Sequence, residues 1–85
     1  MRAVIIEDEP IAVRQLQRLL LTCEPTIEVI KTLKSVRAAT AWLSDNANMI
    51  NLIFLDIQLT DGLSFQIFEN VQINCPIIFT TAYDE

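Results

Sequence analysis

The feature that most constrains the fold of this chain is a regular alternation of short apolar runs with longer amphipathic stretches. Residues 3–6, 52–55 and 77–79 are wholly apolar, which is typical of strands buried on both faces of a parallel sheet. In residues 26–31, Ile27, Val29 and Lys31 alternate with Thr26, Glu28 and Ile30, and this more polar segment predicts an edge strand. Strands that alternate with helices in this way indicate a parallel sheet with right-handed crossover helices.

Three amphipathic stretches connect the predicted strands. Pro10 suits the first turn of one helix, Pro25 lies beyond its end, and Ser35 is a predicted N-cap of the next. A turn at 60–62 precedes the third helix, so the predicted order is β-α-β-α-β-α-β. The predicted inner faces are Ala12, Leu16, Leu19, Leu20 and Cys23, then Val36, Ala39 and Leu43, then Leu63, Ile67, Phe68 and Val71.

The length and the net charge of the chain limit the number of domains and the kinds of partner it can bind. With 85 residues the chain holds one domain, and eleven acids against six bases give a net charge of −5. This balance argues against binding to nucleic acid or anionic membrane, and no apolar run approaches the ~20 residues of a membrane span. Cys23 and Cys75 are far apart in sequence and form no metal-binding motif. We expect both to be free thiols in the core rather than a disulfide, and therefore expect a cytoplasmic protein.

Acidic and hydroxyl side chains follow three of the four predicted strands. Glu7 and Asp8 follow the first strand, Asp56 follows the third, and Thr80 and Thr81 follow the fourth. Because parallel strands end at one edge of a sheet, we expect these side chains to converge there. Any one acid could simply cap a helix, but three loops together favour a functional site.

Converging carboxylates repel one another unless a cation lies among them. Mg²⁺ binds oxygen ligands and is the cofactor that this pattern predicts. A carboxylate beside Mg²⁺ can also act as a nucleophile towards phosphorus and form an aspartyl phosphate. The acidic edge therefore predicts a site for phosphoryl chemistry.

Three segments of the chain match one known family in order and spacing. They are VIIEDEP at 4–10, LIFLDIQL at 52–59 and PIIFTTA at 76–82. With them the chain resembles the receiver domains of two-component response regulators, which implies a flavodoxin-like, CheY-like, doubly wound parallel sheet. The segments EDEP and FTTAYDE are most similar to regulators whose output is a LytTR-type DNA-binding domain, which implies a role in transcription regulation.

The resemblance also implies a role for each site residue. Asp56 would accept the phosphoryl group from a sensor histidine kinase, in a phosphorelay that needs Mg²⁺. Glu7, Asp8, Asp56 and the backbone carbonyl of Gln58 would bind the metal. Thr81 would contact the phosphoryl group and move on activation. The domain would be a regulatory phosphoprotein rather than an enzyme.

The chain departs from the family pattern in two places. Thr60 stands where the family usually has proline, and the loop before Gly62 is short, which could shift the Gln58 carbonyl. The family also continues with a helix, a strand carrying a lysine, and a final helix. We therefore expect residues 1–85 to be a partial receiver domain without an output domain. An exposed last strand then predicts self-association, with a dimer favoured.

Two rival functions stay open. A phosphohydrolase that forms an aspartyl phosphate usually has a second aspartate two residues after the nucleophile, where this chain has Gln58. A non-phosphorylated interaction or dimerisation module would need none of the acidic residues. A dinucleotide-binding domain is disfavoured, because the turn after the first strand is Glu7-Asp8-Glu9-Pro10 and contains no glycine.

Overall fold

The structure is a computed structural model that describes residues 1–80. Its strands and helices alternate along the chain as the sequence predicts. They are β1 Arg2–Ile6, α1 Pro10–Cys23, β2 Glu28–Leu33, α2 Val36–Asn46, β3 Leu52–Leu55, β4 Gln58–Leu59, β5 Gly62–Leu63 and β6 Ile77–Phe79, with 3₁₀ helices at Ala47–Met49 and Ser64–Glu69. None of the helices in this range is long and apolar enough to cross a membrane.

Four strands form one parallel sheet in the order β2-β1-β3-β6. β2 lies at one edge, as its alternating side chains predict, and β6 lies at the other edge of the described part. The chain runs outward from β1 to β2 and then returns past β1 to β3. The strand order therefore reverses between β1 and β3, and such a switch point is where ligands bind in open α/β sheets.

The core lies on both faces of this sheet. Successive side chains of a strand point to opposite faces, so Val4 and Ile6 contact one set of elements while Ala3 and Ile5 contact another. α2 and the second 3₁₀ helix cover the first face, and α1 covers the second. Helices on both faces confirm the predicted doubly wound arrangement.

α2 follows the sequence prediction closely. Ser35 is its N-cap, and the Ser35 hydroxyl accepts a hydrogen bond of 3.0 Å from the backbone N–H of Ala38. Ala39 and Leu43 are both 0% exposed on the inner face. A capped start and an apolar stripe at helical spacing explain why this segment is an α-helix.

The inner face of α1 differs from the prediction. Val13, Leu16 and Leu20 pack towards the sheet, whereas Leu19 is 56% exposed and Cys23 is exposed. The helix is rotated so that an i, i+3, i+7 row faces inward, and its apolar residues are too many for one row to bury. Both cysteines are free, but Cys23 is not a core residue, so that part of the prediction is wrong.

The predicted third α-helix is a 3₁₀ helix of six residues, Ser64–Glu69. An antiparallel hairpin formed by β4 and β5 takes up residues 58–63, so Leu63 belongs to a strand and is 49% exposed. Ile67 and Val71 still pack into the core as predicted. The 3₁₀ helix ends at the cap residue Asn70, and residues 71–76 lead to β6 without a further helix.

Candidate metal site at the carboxyl edge of the sheet

The ends of β1 and β3 bring the predicted acids together. The backbone N–H of Asp56 donates to the carbonyl of Ile6 over 3.0 Å, and that of Glu7 donates to Leu33 over 2.9 Å. The hydrogen-bond ladder thus extends one residue past each strand and holds the backbone of both acids. The apolar strands act as rigid supports for the carboxylates that follow them.

Glu7, Asp8 and Asp56 form one cluster, which we call the acidic cluster. Each of the three side chains offers a carboxylate oxygen, and these oxygens all lie within 4.8 Å of one another. Glu7 is buried, with 6% of its surface exposed, while Asp8 and Asp56 are half-buried. The convergence expected from the topology is therefore present in the folded chain.

Burial perturbs Glu7 strongly. Loss of solvent raises the pKa of the Glu7 carboxyl from 4.5 to about 7, and the nearby charge of Asp56 adds to the rise. A hydrogen bond of 3.2 Å from the backbone N–H of Glu9 to the Glu7 carboxylate acts in the opposite direction. Near neutral pH, Glu7 is therefore about half protonated unless a cation replaces the proton.

The capping alternative for these acids is not what the structure shows. Glu9 is the N-cap residue of α1, and its side chain makes no capping hydrogen bond. Asp8 instead accepts a hydrogen bond from the hydroxyl of Thr60, in the turn between β4 and β5. The carboxylates of Glu7 and Asp8 lie close to that of Asp56, and the Glu9 side chain makes no hydrogen bond to the start of α1.

The other predicted site residues differ in their positions relative to the acidic cluster. Thr80 follows β6, and its backbone N–H donates to Leu55 over 2.9 Å, so it stands at the same sheet edge. Gln58 is an exposed residue of β4, two positions after Asp56. Thr81, predicted to contact the phosphoryl group, lies outside the described residues.

Two contacts of this site were missed by sequence reasoning. The Thr60 hydroxyl donates to Oδ2 of Asp8 over 2.7 Å, across 52 positions of sequence. Asp61 accepts hydrogen bonds from the backbone N–H groups of Val36 and Arg37, at 2.7 and 3.0 Å. The turn at 60–62 was recognised, but no local pattern indicates which distant groups its side chains reach.

The donor set fits a hard divalent cation. Three carboxylates supply oxygen ligands at one point, and a cation there would favour the ionised form of Glu7 against the burial, and the nearby Asp56 charge, that raise its pKa. Residues 1–80 contain no histidine, and no cysteine belongs to the cluster, which disfavours zinc. Mg²⁺ is one of the cations that this oxygen-rich arrangement fits.

The chain is similar along its whole length to curated response regulators. It is 33% identical over 86 residues to the two-component response regulator ARR18 of Arabidopsis thaliana, covering 100% of this chain and 13% of that protein. It is 26% identical over 87 residues to ORR23 of Oryza sativa subsp. indica, covering 12% of that protein. The chain thus spans about an eighth of the length of these relatives. No protein-family model matches it.

Solved structures show the same fold. A chain of the CheX-CheY-BeF3-Mg²⁺ complex of Borrelia burgdorferi superposes with a TM-score of 0.82 at 18% identity, over 100% of this chain and 64% of that one. The fold is that of a CheY-like receiver. The PhyR receiver domain of Erythrobacter litoralis is 30% identical with a TM-score of 0.76, over 96% of this chain and 63% of that one. Sequence and fold together support a response regulator receiver domain.

The acidic cluster lies at the switch point between β1 and β3. The fold and the predicted element order agree, apart from the 3₁₀ helix and the added hairpin. The metal and phosphoryl roles of the individual residues remain predictions.

Proposed function

We propose that this receiver acts in phosphorelay signalling by accepting a phosphoryl group on Asp56 from a sensor histidine kinase. The observation that carries the proposal is the convergence of Glu7, Asp8 and Asp56 at the β1/β3 switch point. The similarity to response regulators over the whole chain supports it. Regulation, rather than turnover of a substrate, is the proposed role.

Asp56 is the proposed nucleophile because of its surroundings. It is half-buried, whereas Glu7 is buried and has a pKa raised to about 7 by that burial. A protonated carboxyl is a poor nucleophile, so the more accessible aspartate is the better acceptor. One Asp56 oxygen forms the bond to phosphorus while the bond from phosphorus to the donor nitrogen breaks.

Four groups of this chain are proposed to hold Mg²⁺: the carboxylates of Glu7, Asp8 and Asp56, and the backbone carbonyl of Gln58. The bound ion would supply positive charge next to the incoming phosphoryl oxygens. One of the structural relatives was solved as a CheY complex with BeF3 and Mg²⁺, which supports the same chemistry here. Thr81 is the proposed contact for the phosphoryl group.

The wider role is also proposed. The motif residues Glu7–Pro10 and Phe79–Glu85 support an output domain of the LytTR DNA-binding type and so a role in transcription regulation. This chain aligns with only about two thirds of each of the two solved chains compared above. We therefore propose that residues 1–85 form part of a receiver domain. A kinase partner of this kind implies a cytoplasmic location.

We also propose that the domain self-associates, with a dimer as the favoured state. Within residues 1–80, β6 is bonded to β3 on one side only, and its Ile78 and Phe79 are 46% and 47% exposed. Beside it lies a groove of about 280 Å³ between α1 and the sheet, lined in part by Leu16 and Leu19. Exposed strand edges and apolar patches favour contact between chains.

Phosphoryl transfer can be tested with acetyl phosphate and Mg²⁺, followed by intact-mass measurement. We expect the protein to gain one phosphoryl group and Asp56→Asn to gain none. Asp45→Asn is the matched control, because Asp45 is an exposed aspartate of α2 outside the cluster. Uptake that persists in Asp56→Asn would show that Asp56 is not the acceptor.

The same experiment separates the two rival functions. Binding of Mg²⁺ without any phosphoryl uptake would favour the interaction module. Continuous release of phosphate from acetyl phosphate would favour a phosphohydrolase. We do not favour the latter, because Gln58 carries an amide that cannot serve as a general acid or base.

A further inference from the structure

The turn between β4 and β5 contacts the acidic cluster directly. The Thr60 hydroxyl donates to Oδ2 of Asp8 over 2.7 Å, a short hydrogen bond to a carboxylate. This contact joins the turn to the loop after β1, two segments 52 positions apart. Thr60 is thus the hydroxyl donor that holds one side of a predicted metal ligand.

The turn itself is held in place from both ends. At its tip, Asp61 accepts hydrogen bonds from the backbone N–H groups of Val36 and Arg37 at the start of α2. At its base, the backbone N–H and the hydroxyl of Ser64 both donate to the carbonyl of Ile57, at 2.8 and 3.0 Å. Thr60 is therefore presented to Asp8 by an anchored segment rather than by a free loop.

The hydrogen bond leaves Asp8 able to bind a cation. A carboxylate has two oxygens and about four acceptor positions, and Thr60 uses one of them on Oδ2. The hydroxyl carries no charge, so it fixes the orientation of the carboxylate without neutralising it. Hydrogen bonds of this kind to ligating carboxylates commonly tune metal affinity.

We propose that Thr60 is a positioning residue for the metal site: its hydroxyl orients Asp8 for Mg²⁺, and Asp61 holds Thr60 there by binding α2. The inference rests on the proposed Mg²⁺ role of the acidic cluster. It adds a contact between the β4–β5 turn, the cluster and the start of α2. Mg²⁺ binding is thereby coupled to the order of the turn.

Thr60→Ala and Thr60→Ser test the hydroxyl. In a Mg²⁺ titration followed by backbone amide NMR shifts, we expect Thr60→Ala to bind about tenfold more weakly and Thr60→Ser to keep the affinity of the wild type. Thr26→Ala is the matched control, because Thr26 also donates to a carboxylate, that of Glu24, but precedes β2 at the opposite sheet edge. Its Mg²⁺ affinity should equal that of the wild type.

A second pair of variants tests the anchor. Asp61→Asn and Asp61→Ala remove the same charge, but only asparagine keeps an oxygen that can accept from α2. We expect Asp61→Ala to bind Mg²⁺ more weakly than Asp61→Asn. This difference should disappear when residue 60 is alanine, because contacts in one network are not additive.

The outcomes separate this inference from the proposed function. A wild-type protein that binds no Mg²⁺ contradicts both. Wild-type binding with an unchanged affinity in Thr60→Ala overturns only the positioning role. Thermal unfolding in EDTA completes the test: if Thr60→Ala lowers the melting temperature and Thr60→Ser fails to restore the affinity, Thr60 has a merely structural role and the inference is wrong.

Discussion

Burial and the proposed metal have opposite effects on the ionisation of Glu7. Its side chain is 6% exposed, and burial raises its pKa to about 7. Near neutral pH without a cation the carboxyl is therefore about half protonated. Mg²⁺ needs the ionised form, so binding must displace this proton.

The raised pKa of Glu7 predicts a pH-dependent stability in EDTA. Between pH 4.5 and about 7 the folded chain keeps the Glu7 proton while the unfolded chain loses it. The free energy of unfolding contributed by this group is therefore fully present below pH 4.5 and is lost as the pH rises through about 7. Glu7→Gln should remove this decline, as measured by denaturant unfolding across the range.

Two comparisons sharpen that measurement. Glu69→Gln, at an exposed position of the second 3₁₀ helix, should leave the decline in place. Added Mg²⁺ should stabilise the wild type most at alkaline pH and should stabilise Glu7→Gln less. An equal pH dependence in wild type and Glu7→Gln would show that Glu7 does not keep its proton in the folded chain.

At the scale of elements, the start of α2 is capped from two directions. The first backbone N–H groups of a helix lack partners within it. Ser35 accepts from Ala38, next to the helix in sequence, and Asp61 accepts from Val36 and Arg37 across 25 and 24 positions. The hydrogen bonds from these two N–H groups lower the pKa of the Asp61 carboxyl. Ser35 is thus a local cap, whereas Asp61 caps the helix through a tertiary contact.

Ser35→Ala tests the local cap. We expect it to lower the free energy of unfolding by about 1 kcal/mol, because the Ala38 N–H loses its acceptor. Ser44→Ala in the same helix is the control, since the Ser44 hydroxyl only donates back to the carbonyl of Thr40. That control should be neutral or slightly stabilising, because alanine has the higher helix propensity. A loss of stability as large as that of Ser35→Ala would contradict the capping role.

At the scale of the whole molecule, the described sheet is covered unevenly. α2 and the second 3₁₀ helix cover one face, while α1 covers only part of the other and leaves a groove beside β6. Ile78 is 46% exposed, on the side of β6 opposite to Ile77, which packs against the core. This uneven cover is the physical basis for the proposed self-association.

Sedimentation over a range of concentrations tests the oligomer. We expect the mass of the wild type to rise with concentration and that of Ile78→Lys to stay at the monomer, because lysine on an edge strand opposes pairing. Leu21→Lys is the control, since Leu21 is 72% exposed on α1 and should associate as the wild type does. Circular dichroism checks that both variants are folded. A wild type that is monomeric throughout would contradict the proposal.

Much of the fold could be predicted from local patterns. The apolar runs at 3–6, 52–55 and 77–79 all became strands of the parallel sheet, and 26–31 overlaps its edge strand. The predictions failed where a local sequence pattern was compatible with two different structures. α1 has more apolar residues than one face can bury, and the segment from Leu63 could begin a helix or end a hairpin.

By itself the sequence determined that Glu7, Asp8 and Asp56 would meet, because each follows a strand and parallel strands end at one edge. Only the tertiary structure decided what surrounds them: the burial that protonates Glu7 and the hydrogen bond from Thr60 to Asp8. Strand ends follow from periodicity over a few residues. The Thr60 contact spans 52 positions and depends on where an anchored turn projects one hydroxyl, which no local pattern encodes.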